Sequence, residues 1–590
     1  MNGFYIIVER PYGSRHIMRI KIILLFFTIA LLGASFQLDT SGKTGGTLVT
    51  ATFTDIKAFN PFLATDSETQ TYNRLMQAGL IRLHPVTHKP EPSLAESWKI
   101  SQDNLVWTFS LRKGLNWSDS RTFDANDVLF TMKVVNDPKI PSLASDALTL
   151  NGKKIDWSLI DQHTVQAKLP SRFATFLRHL DAGTCPIIAR HKWEKDYEQG
   201  RFTEIMRASM DPSQFQGLGP FRLKQYVPGQ KLVLSRNPHY WKIDSNRVRL
   251  PYLDELVFLI LGNQDQVQLK IENGEIDTYQ NVRPGDVDRL REKANALQLK
   301  VINVGPVFDM EGLFLNQNAA VNPETKRPYV DAIKLSWFQN VNFRRALSHA
   351  IDRNALIRNS LFGHGIPAYG PESPGNKLWY NPDISKFQFD LTKARQLLLN
   401  NGFYQRSQEG GKLALFDSKG NRVQFSLFTN SGNSVRNTQC ILIASDFAKL
   451  GIEVAYSALD FQTLINRVDR TYEYDAVLLG IGEDDVDPGS RLNTMLSKGS
   501  LHFWWPRQEK PSTPWEKRID ELMALTMSVP DFQERKTYYY EVQKILAEQQ
   551  AMIYTVHPYA FVCAKTKIGN LKPIVPRHRT LWNAEELYWQ

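Results

Sequence analysis

The stretch of this chain best suited to chemistry is Gly482-Glu483-Asp484-Asp485-Val486-Asp487-Pro488, a dense run of carboxylates ahead of a proline. Such a run either holds a cation or is a solvated acidic loop. Calcium fits poorly. With Asp485 as first ligand, positions three and five are Asp487 and Gly489, and position twelve, where a bidentate Glu is required, is Leu496. About fifteen residues further on, His502-Phe503-Trp504-Trp505 could supply apolar walls for varied side chains or fill a core. Asn60-Pro61 has the form of an Asx-Pro turn.

The motifs of common enzymes are missing. There is no HExxH, no glycine-rich phosphate loop with its Lys, and no GxSxG, so catalysis is not expected. His84 and His88 form the closest histidine pair, but Pro85 between them forbids a shared helical face, and no metal or cofactor is expected. Cys185, Cys440 and Cys563 lie far apart without a CxxC, which reads as three buried thiols or at most one disulfide.

A chain of 590 residues exceeds what one hydrophobic core supports, so two or more lobes must position these groups. Its 42% hydrophobic, 22% charged and 11% aromatic residues describe a folded globular protein. Residues 1–35 carry Arg10, Arg15, Arg19 and Lys21 against Glu9, three of the ten net positive charges. The remaining basic residues alternate with acids along the chain, against nucleic-acid binding. From Met18 the order is that of a secretory signal: two basic residues, an apolar run from Ile22 to Leu32, then Gly33, Ala34 and Ser35. The run falls short of the roughly 20 residues of a membrane span, so cleavage near Ser35 is expected, with Met18 a plausible start. No Cys follows the run to take a lipid anchor.

Helix and strand signals alternate from Thr47 onwards, the pattern of α/β lobes. Leu105, Trp107, Phe109 and Leu111 alternate with smaller or polar residues, predicting a half-buried strand, and Phe221–Val227 with Lys231–Ser235 predict a hairpin turning through Pro228-Gly229. Apolar stripes predict helices from about Asn342, as cap, to Gly363, from Asp390 to Gly402, and over Val435 to Leu450. Two more flank Pro530, and Met552 to Val556 reads as a strand.

Specific blocks are superimposed on this pattern. Pro92 to Thr131 (PSLAESWKIS followed by WTFSLRKGLNWSDSRTFDANDVLFT), Gly217 to Trp241, ENGEIDTY from Glu272, FRRALSHAIDRNAL from Phe343, DLTKARQLLLNNGF from Asp390 and DFAKLGIEV from Asp446 follow one another in order. Together they resemble the family 5 extracellular solute-binding proteins of ABC importers, the group of oligopeptide-, dipeptide- and nickel-binding proteins. The resemblance implies an α/β periplasmic-binding-protein type 2 fold of two lobes with a hinge, and an extra subdomain in lobe I. Residues 1–35 would be the extension and signal, 36–311 lobe I, 312–555 lobe II, and 556–590 the return to lobe I, with crossings near 300–315 and 551–556. It also implies a periplasmic monomer that binds a peptide, or alternatively an oligosaccharide, opine or nickel chelate, and delivers it to an ABC permease in the inner membrane.

A buried peptide amine needs a carboxylate partner. Peptide-binding relatives place it four residues before the Pro of an Asp/Glu-Pro pair, which here is Asp484; Glu483, Asp485 and Asp487 compete for the role. Trp504, Trp505 and Asn60, which lies in a segment similar to the family's early cleft segment, complete the implied ligand-binding set. Trp107, Trp117 and Trp241 are read as core.

Overall fold

A computed structural model describes residues 37–590 apart from 39, 54, 57, 64–66, 141, 151, 483, 484 and 577, and the expected export segment lies outside the described residues. The chain builds two bodies. In the first, Thr47–Thr52 lies parallel to Glu255–Ile260, which continues antiparallel through Lys231–Arg236 to Phe221–Val227. The predicted hairpin is present. Gly229 turns it at φ +68, and the carboxylate of Asp55 accepts the Gly229 N–H at 2.7 Å, tying the hairpin to the loop after the first strand. A second, antiparallel sheet orders Ala95–Ile100, Val106–Leu111, Thr164–Lys168 and Asp156–Asp161. Its alternation buries Phe109 and Leu111, and the Trp107 ring meets Phe176 edge-on at 5.3 Å.

The second body is organised by a five-stranded sheet ordered Glu453–Leu459, Gln424–Asn430, Ala476–Ile481, Met310–Leu315 and Met552–Tyr554. Met310 and Phe314 face one core with Leu479, Met523 and Tyr539; Leu313 and Leu315 face the other with Phe343, Leu427 and Phe447. Helix Ser434–Ala448 links two parallel strands, and Cys440 lies buried on its inner side. The stripe after Asn342 divides into two helices, Val341–Ala350 and Arg353–Ser360, broken at Ile351. Its cap is Asn340, whose Oδ1 accepts from the Asn342 and Phe343 N–H groups at 2.9 and 3.3 Å; Asn342 instead bonds Asn401 at 2.8 Å. Arg353 at the break is buried with no carboxylate partner among the described residues, its guanidinium donating to carbonyls of Ala368, Tyr554, Ser348 and Phe387.

The chain passes between bodies twice. Leu299–Pro306, paired with Val556–Lys565, leads through residues 307–309 into Met310–Leu315, and Met552–Tyr554 returns through Thr555. Thr555 donates its N–H to the Glu311 carbonyl at 3.1 Å, and the Val307 N–H reaches the Pro558 carbonyl at 3.0 Å, so the two passages are bonded side by side. All three cysteines are free and buried, and burial pushes the thiols of Cys185 and Cys563 up to about 12.

The C-terminal segment closes the first body, where Leu581, Ala584 and Leu587 enter the same core as Trp117 and Phe123. Its anchor is Glu585, which accepts from Arg82 and Lys242 at 2.7 Å each and from the Tyr240 hydroxyl at 2.5 Å. Burial alone would raise this carboxyl, but Lys242 and Arg82 outweigh it and hold it at about 2 instead of 4.5. Its contribution to stability is therefore complete above about pH 4.5 and is lost as the pH falls towards 2. Glu585→Gln should cost about 3–5 kcal/mol at pH 7 and flatten the fall in melting temperature between pH 5 and 2, read by thermal melts of both proteins.

Candidate functional site

In an open α/β sheet the carboxyl ends of parallel strands border a crevice where ligands bind. In the second body, Gln424–Asn430 and Ala476–Ile481 run parallel and end at one edge, beside Met310, the register partner of Ile481. The acidic loop leaves the sheet there. Two more polar groups lie near this edge. Glu311 is paired in register with Gly480, Arg436 occupies the first turn of Ser434–Ala448, and Glu311 Oε1 and Arg436 Nε are both buried with no hydrogen-bond partner among the described residues.

Two buried ion pairs fix the loop's course. Arg491 donates to Glu372 Oε1 at 3.0 Å and to the carbonyls of Pro371 and Phe308 at 3.0 and 3.3 Å. Glu372 also accepts from Tyr539 and Asn376, and Asn376 reaches the Val486 carbonyl at 2.9 Å. Asp487 caps the turn Pro488–Arg491 and accepts two contacts from Arg535, at 3.0 and 2.9 Å. The loop is thereby held to the rest of the second body, and one contact reaches across to the first. Arg178, from the short 3₁₀ turn Phe176–Leu180, ion-pairs with Asp485, and its Nε lies 3.9 Å from Asp487. Burial would raise the Asp485 carboxyl, but the charge of Arg178 together with the hydrogen bond from the Asp487 N–H holds the group below the usual carboxylate range. Burial pushes the neighbouring His88 and His179 down to about 4, so both are neutral at pH 7.

A cavity of about 410 Å³ lies where the two bodies meet. Arg74, Arg82, Asp181 and Trp582 stand on its first-body wall, and Asp485 and Ser490 on the opposite one. Its carboxylates have protein partners. Arg74 bonds Asp181 at 2.5 Å, Arg82 bonds Glu585, and Arg178 bonds Asp485.

Residues 89–502 match the family described as "Bacterial extracellular solute-binding proteins, family 5 Middle". The chain belongs to this family. Its relatives match over most of their length. A probable ABC transporter-binding protein of Deinococcus radiodurans is 27% identical over 89% of this chain and 88% of its own. The oligopeptide-binding protein AppA of Bacillus subtilis is 23% identical over 99% of both chains. The solved structure of that AppA with a nonapeptide superposes with a TM-score of 0.67 at 23% identity, covering 93% of this chain and all of that one. NikA of Brucella suis, in complex with Fe(III)-EDTA, gives 0.74 at 18% identity over 92% and 100%. The two bodies are thus the lobes of a type 2 periplasmic binding protein.

Of the residues singled out by sequence, Glu483 and Asp484 lie outside the described residues, and Asp485 stands on the cavity wall. Asn60 is buried in the first lobe, where Nδ2 donates to the Phe202 carbonyl at 3.1 Å and Oδ1 accepts the Phe62 N–H at 3.1 Å, as in an Asx turn. Trp504 is buried in the second lobe's core, 3.7 Å from the His502 ring, and bonds Glu516 at 3.3 Å; Trp505 packs beside it. None of these three lines the cavity. Sequence reasoning passed over Arg74, Arg82, Arg178 and Trp582, which carry no local motif and meet only through tertiary packing.

Because Arg491 and Glu372 are fully buried, Arg491→Met should strand a carboxylate in the core and destabilise the second lobe by about 3–5 kcal/mol, and Arg491→Met with Glu372→Gln should recover part of that loss. Urea titration followed by tryptophan fluorescence measures both.

Proposed function

We propose that this chain is the substrate-binding component of an ABC importer, which captures peptides between its lobes and delivers them to an inner-membrane permease. The cavity where the lobes meet, with the acidic loop as one wall, carries this reading. The relatives named for oligopeptide and dipeptide binding support it. The protein acts as a monomer without catalysis, exported to the periplasm by cleavage near Ser35. The lobe boundaries read from sequence, 311/312 and 555/556, are supported by the two chain passages at 307–309 and Thr555.

A peptide held by its main chain can pair with exposed strand edges and polar groups while its side chains occupy hydrated space. Asp484 is the proposed partner of the peptide amine, since Asp485 and Asp487 are already held by Arg178 and Arg535. Glu311 lies near the same edge, where its buried carboxyl is raised by desolvation and faces Arg436 and Gln439. A second reading, a non-peptide solute such as an anionic chelate, draws support from Arg74, which lines the cavity with 42% of its side chain exposed.

Native mass spectra of purified residues 36–590, before and after denaturing release, separate these readings. The peptide reading expects a ladder of bound masses that fragment as peptides. Asp484→Ala should weaken the released peptides by tenfold to a hundredfold in titration calorimetry, as losing a charge-assisted bond of about 1.5–3 kcal/mol requires. A single non-peptide mass would replace the peptide reading with the second one.

A further inference from the structure

The contact between acidic loop and first lobe joins protein to protein, and its geometry gives it a task of its own. Arg178 emerges from the first lobe with 13% of its side chain exposed and donates to the His88 carbonyl at 3.3 Å. Its other guanidinium nitrogens face Asp485 and Asp487 of the second lobe. Asp487 is simultaneously bound by Arg535, so two guanidinium groups and two carboxylates alternate in a charge-balanced group that spans the cleft. A second bond crosses nearby, from the Ala174 N–H to the Met527 carbonyl at 3.3 Å.

We propose that Arg178 is a cross-lobe latch that docks on Asp485 and Asp487, biases the lobes toward the closed arrangement without help from a ligand, and reserves Asp485 for closure. When the lobes part at residues 307–309 and 555, Asp487 keeps Arg535 and Arg178 keeps the His88 carbonyl. The interactions made only in the closed form are therefore those of Arg178 with the second-lobe carboxylates, the ion pair with Asp485 above all, and the Ala174–Met527 backbone bond. A group that interacts with one state and not the other shifts the population by that difference. Asp485 retains 39% exposure, so solvent screening limits the shift to between about threefold and tenfold. Arg178 acts as a positioning residue; it sets how often the cleft is closed when a ligand arrives.

The test needs no ligand and so stands apart from the proposed function. Ile160 in the first lobe and Ile441 in the second are 56% and 57% exposed, and the native cysteines are buried, so Ile160→Cys and Ile441→Cys accept a pair of spin labels. Dipolar distance measurements on protein stripped of co-purified solute then report the ratio of short to long separations. Arg178→Glu and Asp485→Arg should each lower the closed fraction by about threefold to tenfold, Arg178→Lys should retain most of it, and the double charge swap should restore it. Unchanged ratios in the single reversals, or a double swap no better than either single variant, would overturn the latch. Asp485→Asn, which keeps the side chain's shape, decides the matter if a reversal fails to fold: an unchanged closed fraction in that variant also rejects it.

Discussion

The buried pair of Arg491 and Glu372 is the constraint around which the functional half of the molecule is arranged. Removing two charges from water costs several kcal/mol per ion, so such a pair persists only where further hydrogen bonds satisfy both groups. Here Pro371, Phe308, Tyr539 and Asn376 supply them. Those partners come from the passage between lobes, from the segment after Gly370, and from the long helix Phe532–Gln549, and Asn376 extends the network to the acidic loop itself. Rotating any of these segments alone would strand a buried charge. The loop therefore moves with the second lobe as a rigid part of it, and the flexibility of the fold is left to the two passages.

Rigid presentation explains how a loop so rich in carboxylates sits beside a cavity without opening it by repulsion. Asp485 and Asp487 are answered by Arg178 and Arg535, and across the cavity Asp181 and Glu585 are answered by Arg74, Arg82 and Lys242. Charges on the walls are thus largely spent on the protein's own architecture. Opposite charges therefore meet within each wall and not across empty space.

Much of this fold was legible because its signals are local. Pro228-Gly229 between two alternating runs specifies a hairpin from adjacent residues alone, and Asp390 caps its helix through the Lys393 N–H, three positions on. Asn340 and Asn342 show the limit: both are good caps two residues apart, and only the contact of Asn342 with Asn401 decides between them. At the site the limit is more severe. The run of carboxylates before Pro488 marks the acidic loop in sequence, yet Arg178 lies 307 positions from Asp485, and no spacing rule joins them. Trp504 and Asn60 were ambiguous for a different reason, since an aromatic ring suits a core or a cleft equally, and an Asx side chain suits a turn or a ligand.

The C-terminal segment has a further bearing, on the order in which the molecule becomes itself. The first lobe begins with Thr47 but completes its core with Leu581, Ala584 and Leu587, while the second lobe's two cores are drawn from the contiguous stretch between Phe308 and Val556. Contacts between the ends of a chain this long form late, because closing so large a loop costs entropy before any contact rewards it. The second lobe can assemble as a nearly continuous unit, whereas the first stays unfinished until the last residues are delivered. A growing chain accordingly carries a second lobe able to form first and a first lobe without its wedge, and the cavity between them comes into being only once the segment from Leu581 to Leu587 has docked.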